Sequence, residues 1–368
     1  MMRLLTTNKE WVCTARSVLR LASAIFVLFC LPLNAQGASH QHDANHMSDM
    51  DEQGRRLFGM QHRVTDAAAA ELRERMAGLS GVDTATIQTV MDRMGSNYEW
   101  YVSDLQLRGD TGVVILAHGF RPAGDDIFRQ RMRPLAEQKP TALALGMSMI
   151  MSDHIQFAID DLELAGAQRI VIVPVVSNES NSLMRQWQYI FGLTDNPAYT
   201  AVTQVSSAAE LLFTQAPGDH PLIQEVLVDY AQEISKESSK EFLLLVAHGQ
   251  EGDVDNVITL EMLRRMAAEV QGKIGFAEVD VVSLQDDAPK AVRERNVAAM
   301  RGMVQQAQEK GYEVLIITNL LGARSIQASL RRDLRGLDYT FNAKGIVQHD
   351  NFIRWIEASV SDAITPDT

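Results

Sequence analysis

Two histidines stand in the same short motif in two parts of the chain, and their chemistry suits metal binding or proton transfer. His118 follows the apolar run of TGVVILAHGF (111–120), and His248 follows that of EFLLLVAHGQ (241–250). A neutral imidazole binds divalent metals and accepts protons near neutral pH. The glycine after each histidine allows a tight turn and the close approach of a ligand. A single such histidine could equally be structural, but its repetition favours a functional site.

Both motifs belong to a repeated pattern of strands and helices. Each half contains three short apolar segments with helix-like segments between them, which indicates a parallel sheet covered on both faces. Both histidines then lie at the carboxyl end of a first strand, where such sheets bind ligands. The predicted strands are 111–120, 142–146, 166–176, 241–250, 277–284 and 311–321, and the predicted helices are 125–137, 153–165, 257–270 and 289–310. Two such units in tandem predict a bilobal α/β protein that arose by internal duplication.

The order of these segments resembles the class II tetrapyrrole chelatases, the group of sirohydrochlorin cobaltochelatase and ferrochelatase. The resemblance rests on LAHGF, VAHGQ and the run IQFAIDDLELAGAQRIVIVPVV (155–176), and it covers about residues 111–345. It implies two tandem flavodoxin-like domains, each with a parallel sheet flanked by helices. A tetrapyrrole would lie in the cleft between them and receive a divalent metal as substrate, Co²⁺ or Fe²⁺ with Ni²⁺ as a further option, without an organic cofactor. The family's histidine corresponds to His118 and His248, which the resemblance makes catalytic and metal-binding.

Carboxylates near the histidines would help to remove water from the metal and to carry protons away. By chain position the candidates are Glu179, after the third strand of the first half, and Asp286 and Asp287, after the second strand of the second half. We expect Glu179 and Asp286 to be metal ligands together with the histidines. The alternative for each is a solvated loop carboxylate.

The chain departs from the family pattern at two places. The family carries a second histidine after the third strand, whereas the loops 177–184 and 322–329 contain none. Its acidic residue after the second strand is replaced in the first half, where Met149 stands near that place. The ligand set is therefore either incomplete or rebuilt from Glu179, His154 and Arg324.

The first residues predict export. Four basic residues and the apolar stretch LASAIFVLFCLPL (21–33) precede small residues, as in a secretory signal peptide cleaved after Ala35 or Ala38. The stretch is short for a membrane span, and an uncleaved anchor is the alternative. Both cysteines, Cys13 and Cys30, lie in this leader. We expect a periplasmic or secreted protein with no membrane contact beyond the signal peptide (1–35).

Two further segments precede the duplicated region. A polar linker (36–63) contains His40, His42 and His46, which form either a weak accessory metal site or part of a solvated tether. Residues 64–105 predict a helical hairpin, broken at Ser80-Gly81, that packs on the main body. The domains are thus expected to be a helical extension (64–108), a first chelatase-like domain (109–238) and a second (239–368).

Composition excludes several classes of function. The 368 residues carry a net charge of −13, which argues against nucleic-acid binding. The His-Gly strand also resembles that of α/β-hydrolases, but the required G-x-S-x-G is incomplete at 146–150. Two hypotheses remain: an enzyme that inserts metal into a sirohydrochlorin-type ring, and a non-catalytic periplasmic protein that binds metal or tetrapyrrole.

Overall fold

The computed structural model describes residues 50–58, 64–322 and 325–365. The predicted leader, the histidines His40, His42 and His46, and Arg324 lie outside the described residues. Residues 47–368 group into one compact unit. Across the described ranges, no helix is both long enough and apolar enough to span a bilayer.

The first half forms a six-stranded sheet in the order β1-β2-β4-β3-β5-β6. Its strands are β1 (Arg56–Phe58), β2 (Asn97–Tyr101), β3 (Thr111–Ala117), β4 (Thr141–Leu145), β5 (Arg169–Val175) and β6 (Glu210–Phe213). Its helices are α1 (Asp66–Arg75), α2 (Thr84–Met94), α3 (Pro122–Ala136), α4 (Asp153–Leu164), α5 (Ser182–Ile190) and α6 (Pro221–Gln232). Strands β4, β3, β5 and β6 pair in parallel, and β2 and β1 extend the β4 edge in antiparallel orientation.

The second half forms a four-stranded parallel sheet in the order β10-β9-β7-β8. Its strands are β7 (Glu241–Ala247), β8 (Glu278–Ser283), β9 (Glu313–Asn319) and β10 (Thr340–Phe341). Its helices are α7 (Asp253–Ile274), α8 (Lys290–Glu309), α9 (Ser325–Asp333) and α10 (Asp350–Ile364). The order β4-β3-β5-β6 in the first sheet matches β8-β7-β9-β10 in the second. The prediction of two duplicated parallel sheets flanked by helices is therefore confirmed.

The predicted helical extension is only partly helical. The second helix ends at Met94, where Gly95 adopts a φ of 90°, and residues 97–101 form β2 instead of continuing the helix. Aromatic residues favour a strand here, because Tyr98 and Trp100 pack on one face into the core. Strand β1, which pairs with β2, likewise lies inside the segment predicted as a polar linker.

The last helix of each half packs against the sheet of the other half. Helix α6, at the end of the first half, contacts β9 and α7, whereas α10, at the end of the chain, contacts β5 and β6. One hydrophobic core therefore contains residues of both sheets together with α3, α6, α7 and α10. The boundary predicted near residue 238 lies between α6 and β7. Residues on both sides of it share this core, so each half completes the core of the other.

Candidate active site

The first histidine loop is shaped by a glycine and by a buried acid. Gly119 adopts a φ of 85°, which turns the chain directly after His118. Asp125, in the first turn of α3, accepts the backbone N–H of Phe120 through Oδ1 at 2.5 Å. This hydrogen bond ties the loop to the start of the helix and leaves the His118 side chain exposed.

The second histidine loop repeats this arrangement. Gly249 adopts a φ of 81°, and Asn256 in the first turns of α7 accepts the N–H of Gln250 at 3.3 Å. Asn256 Oδ1 also accepts the Ser283 hydroxyl at 2.6 Å, at the end of β8. Sequence reasoning missed this pair of loop-holding residues. The available signal was a side-chain acceptor seven residues after the first histidine and eight after the second.

Backbone contacts orient both imidazole rings in the same way. In each loop Nδ1 contacts the carbonyl oxygen of the following glycine, at 3.0 Å for His248. Because a carbonyl oxygen only accepts hydrogen bonds, Nδ1 carries the proton and the neutral ring keeps its lone pair on Nε2. That nitrogen is the one available to bind a metal or accept a proton.

The surroundings of His118 favour the neutral form of its imidazole. Its ring is solvent-accessible, but the protein around it limits hydration of the charged form and so lowers its pKa. The contact with the Gly119 carbonyl opposes this effect, while the charge of His248 adds to it. The two histidines are therefore close enough for their charges to interact, although 130 residues separate them in sequence.

Asp287 faces the second histidine. Its Oδ2 lies 3.5 Å from Nε2 of His248. When His248 is neutral this places a lone pair opposite a carboxylate, an arrangement that a proton or a metal cation between them stabilises. Two ligands that each lie about 2.1 Å from a tetrahedral metal ion are about 3.4 Å apart. The spacing of His248 and Asp287 thus fits two neighbouring ligands of one cation.

The other two candidate carboxylates have different partners. Asp286 accepts Nε of Arg293 at 2.7 Å, and its second oxygen is buried without a hydrogen-bond partner. Glu179 is exposed and accepts the backbone N–H of Ala216 at 2.5 Å. Within the described part of the chain, neither carboxylate hydrogen-bonds to or forms an ion pair with His118 or His248. The structure therefore brings Asp287, and not these two, to a histidine.

The loop after β4, residues 146–152, differs from its counterpart after β8. Met149 is buried, and the buried Ser148 hydroxyl lies 3.2 Å from both Nε1 of Trp187 and Nε2 of His154. His154 is fully buried, and this burial lowers its pKa to about 3. His154 therefore holds the loop in place and is not accessible as a replacement ligand. Ser148 is likewise too buried to act as a hydrolase nucleophile.

The described residues do not assemble a complete multidentate site. Over residues 50–58, 64–322 and 325–365, no group of three or more His, Cys, Asp or Glu side chains is arranged to hold a metal ion. A metal at this place would have His118, or His248 with Asp287, as protein ligands. The remaining coordination positions would be open to water or to a substrate.

Contacts between the halves fix the positions of the two histidine loops. Phe120 packs against Gly322, where a Cβ atom would lie 2.7 Å from the Phe120 ring. Gln250 occupies the corresponding place in the second half and contacts the Ser177 hydroxyl and the Asn181 amide, both at 3.3 Å. Each histidine loop is therefore closed by the third-strand loop of the other half.

The helical extension also reaches this region. Gly78, between α1 and α2, donates its N–H to Glu251 at 3.1 Å, in the loop after His248. Glu71 in α1 accepts the N–H of Ala201 at 2.9 Å, in the first half. The extension thus bridges both halves beside the histidine loops, which agrees with its predicted packing on the main body.

Comparison with known proteins supports the fold. No protein-family model and no curated protein matches the sequence. Two sheets whose parallel strands follow the same order define a duplicated flavodoxin-like fold, and a solved structure shares it. SirB from Bacillus subtilis, solved with Fe³⁺, is similar at a TM-score of 0.52 and 12% identity, over 69% of this chain and 97% of that one. The sirohydrochlorin chelatase SirB from Bacillus subtilis subspecies spizizenii, in complex with cobalt, has a TM-score of 0.48 and 10% identity. The match covers 69% of this chain and 95% of that one.

Proposed function

We propose that this protein inserts a divalent metal ion into a sirohydrochlorin-type tetrapyrrole held between its two halves. The observation that carries the proposal is the pair of histidines at matching strand ends. Each ring presents Nε2, because Nδ1 is tied to the backbone. The fold shared with SirB, solved with Fe³⁺, and the resemblance of the Ala-His-Gly motifs to class II chelatases support the same activity. Co²⁺ and Fe²⁺ are the proposed substrates, with Ni²⁺ as a further option.

The two histidine loops would divide the work of insertion. Metal entry requires that two pyrrole N–H protons leave the ring. Neutral His118 can accept a proton or bind the incoming metal through Nε2. His248 and Asp287 together offer a nitrogen and a carboxylate that can hold the cation before transfer and then take up a proton. Glu179 and Asp286 would contribute as ligands only after leaving Ala216 and Arg293.

A non-catalytic role is the second candidate. It is favoured by the lack, within the described ranges, of a group of three ionisable ligands arranged around one point. The absence of a histidine in the loops 177–184 and 322–329 points the same way. In that case the exported protein would bind metal or tetrapyrrole in the same cleft without joining them.

Insertion of Co²⁺ into sirohydrochlorin, followed by absorbance, tests the proposal. His118→Ala, His248→Ala and Asp287→Asn should each lower the rate by at least about tenfold. The matched control is Glu294→Gln, which changes an exposed carboxylate on α8 and should retain the wild-type rate. A wild-type rate equal to that of metal and ring alone would reject catalysis. A spectral shift on ring addition without insertion would instead establish the binding protein.

Export is part of the proposal and needs its own test. It is supported by the basic leader and the apolar stretch 21–33. Cell fractionation followed by N-terminal sequencing should find the protein in the periplasm or medium, beginning after Ala35 or Ala38. A cytoplasmic protein with an intact leader would contradict it.

A further inference from the structure

A methionine-lined groove lies beside the first histidine loop. It is formed by α2, the start of β2 and the loop that follows β4. Five of its thirteen lining residues are methionine, whereas the whole chain has 17 in 368. These five are Met91, Met94, Met147, Met149 and Met151. We call this site the methionine groove.

Two separate elements supply the methionine side chains. Met91 and Met94 lie almost one turn apart on α2, and the other three occupy alternate positions of the loop. That loop is held firmly, because Thr200 donates its hydroxyl to the Met149 carbonyl at 2.7 Å and Ser148 contacts His154 and Trp187. The groove is therefore a built feature and does not depend on a loose segment.

Methionine supplies most of the apolar lining of the groove. Apart from glycine, Phe58 and Ile150 are the only other apolar residues that line it. Thioether sulfur is a soft ligand and, together with thiolate, selects Cu(I) among the biological metal ions.

The charge of the lining also suits a cation. Among the thirteen lining residues Asp92 alone is ionisable, and its exposed carboxylate accepts the Gln88 amide at 2.8 Å. A carboxylate at the mouth attracts a positive ion, and no lining side chain is positively charged. Met94 is 46% exposed beside it, while Met149 is 2% exposed at the inner end.

We infer that the methionine groove binds a soft monovalent metal ion, Cu(I), through thioether sulfur atoms. This site uses none of the histidines or carboxylates of the proposed chelatase function, and neither inference depends on the other. Because a thioether has no proton to lose in this pH range, binding should be nearly independent of pH. Binding by imidazole would instead weaken as the ring is protonated.

Anaerobic titration of the full chain with Cu(I), in competition with the chromophoric ligand bicinchoninate, tests the inference. It is run at pH 5.5, where free imidazoles are largely protonated, and again at pH 7.5. Replacing Met94, Met147 and Met151 by leucine preserves side-chain volume. The triple variant should lose one equivalent of Cu(I) or weaken its binding by more than about tenfold at both pH values. The matched control replaces three buried methionines elsewhere, Met132, Met262 and Met300, and should bind as the wild type does.

Equal binding by the groove variant and the control would overturn the inference. A second measurement needs no variant to fold: Ag(I) is added to wild-type protein carrying ¹³C-labelled methionine methyl groups. The groove methyl signals should shift on Ag(I) addition, while those of the control methionines should not. Unchanged groove signals at saturating Ag(I) would also reject the site.

Discussion

The two histidine loops share one backbone arrangement but differ in what surrounds it. In each, a glycine with positive φ follows the histidine. A side-chain oxygen in the next helix accepts the backbone N–H of the second residue after the histidine. Around His248 the neighbours are polar, with Asp287 at Nε2 and Gln250 at the interface. Around His118 apolar side chains take these places, because Phe120 closes the interface and Met149 follows β4, although the buried Asp125 also holds the loop.

This difference shows which parts of a duplicated site are tied to the fold. The histidine and its turn occur in both halves, and in each half the strand end and the helix start position them. The second-strand loops have diverged, one towards carboxylates and the other towards a buried Ser148 network and methionines. Changes at matching positions of the two halves should therefore have unequal effects.

The largest expected difference concerns the two turn glycines. A Cβ at Gly249 would lie 1.9 Å from the Ser283 hydroxyl, whereas at Gly119 the nearest atom would be 3.8 Å away. Gly249→Ala should therefore destabilise the protein by about 3 kcal/mol, and Gly119→Ala by about 1 kcal/mol from backbone strain alone. Urea unfolding of both variants measures this, and equal losses would show that the two turns are equally crowded.

The second prediction concerns the β4 edge of the first sheet, which β2 extends; among the described residues no strand extends the β8 edge of the second sheet. Burial raises the pKa of Glu99 in β2 to about 8, beside Asp161 and Arg56. Folded Glu99 thus keeps a proton that the unfolded chain releases above about pH 4.5, so wild-type stability should fall as pH rises from 5 to 8. Glu99→Gln should remove about 2 kcal/mol of that fall. Unfolding free energies at both pH values test it, and parallel pH profiles would contradict it.

The third prediction exchanges the two loop-holding residues. Asp125→Asn keeps the acceptor for Phe120 N–H and removes a carboxyl whose pKa is raised by burial, so stability should change by less than about 0.5 kcal/mol. Asn256→Asp should cost about 2 kcal/mol at pH 7, because it places a charge at a site only 6% exposed. Thermal unfolding at pH 7 is the measurement. Similar losses for both would mean that the two helix starts are electrostatically alike.

The smallest expected effects are at the contacts that close the loops. Phe120→Leu should cost about 1 kcal/mol, since it loses ring contacts with His118 and Phe128. Ser177→Ala should cost about 0.5 kcal/mol, because its bond from Gln250 is long and only partly buried. Urea unfolding resolves the two, and a larger loss for Ser177→Ala would make the polar closure the stronger one.

The elements that present the histidines were predictable from local sequence. The run 111–117 is apolar from its third position on, and the run 241–247 from its second. Such continuous apolar runs are typical of strands buried on both faces. Strand β2 was not predicted, because its aromatic residues directly follow a helix in the sequence. They form a strand by pairing with β4, which lies about 40 residues further along the chain. Local pattern does not contain that long-range pairing.

Site partners were predictable only in part, for a related reason. Both histidines follow from the motif, and loop position identified Asp287 together with Asp286 and Glu179. Which carboxylate meets a histidine depends on competing partners, since Arg293 holds Asp286 and Ala216 holds Glu179. Those partners lie on other elements, so only the folded structure separates the three.

Helices α6 and α10 each pack on the sheet of the other half, which affects the order in which the chain folds. The first sheet is covered partly by residues 350–364, which are synthesised after the whole first half. A growing chain that has produced the whole first half still lacks this cover and exposes apolar surface on β5. Native packing of the first half must therefore wait until α10 has been synthesised, and removing residues 350–364 should unfold both halves together.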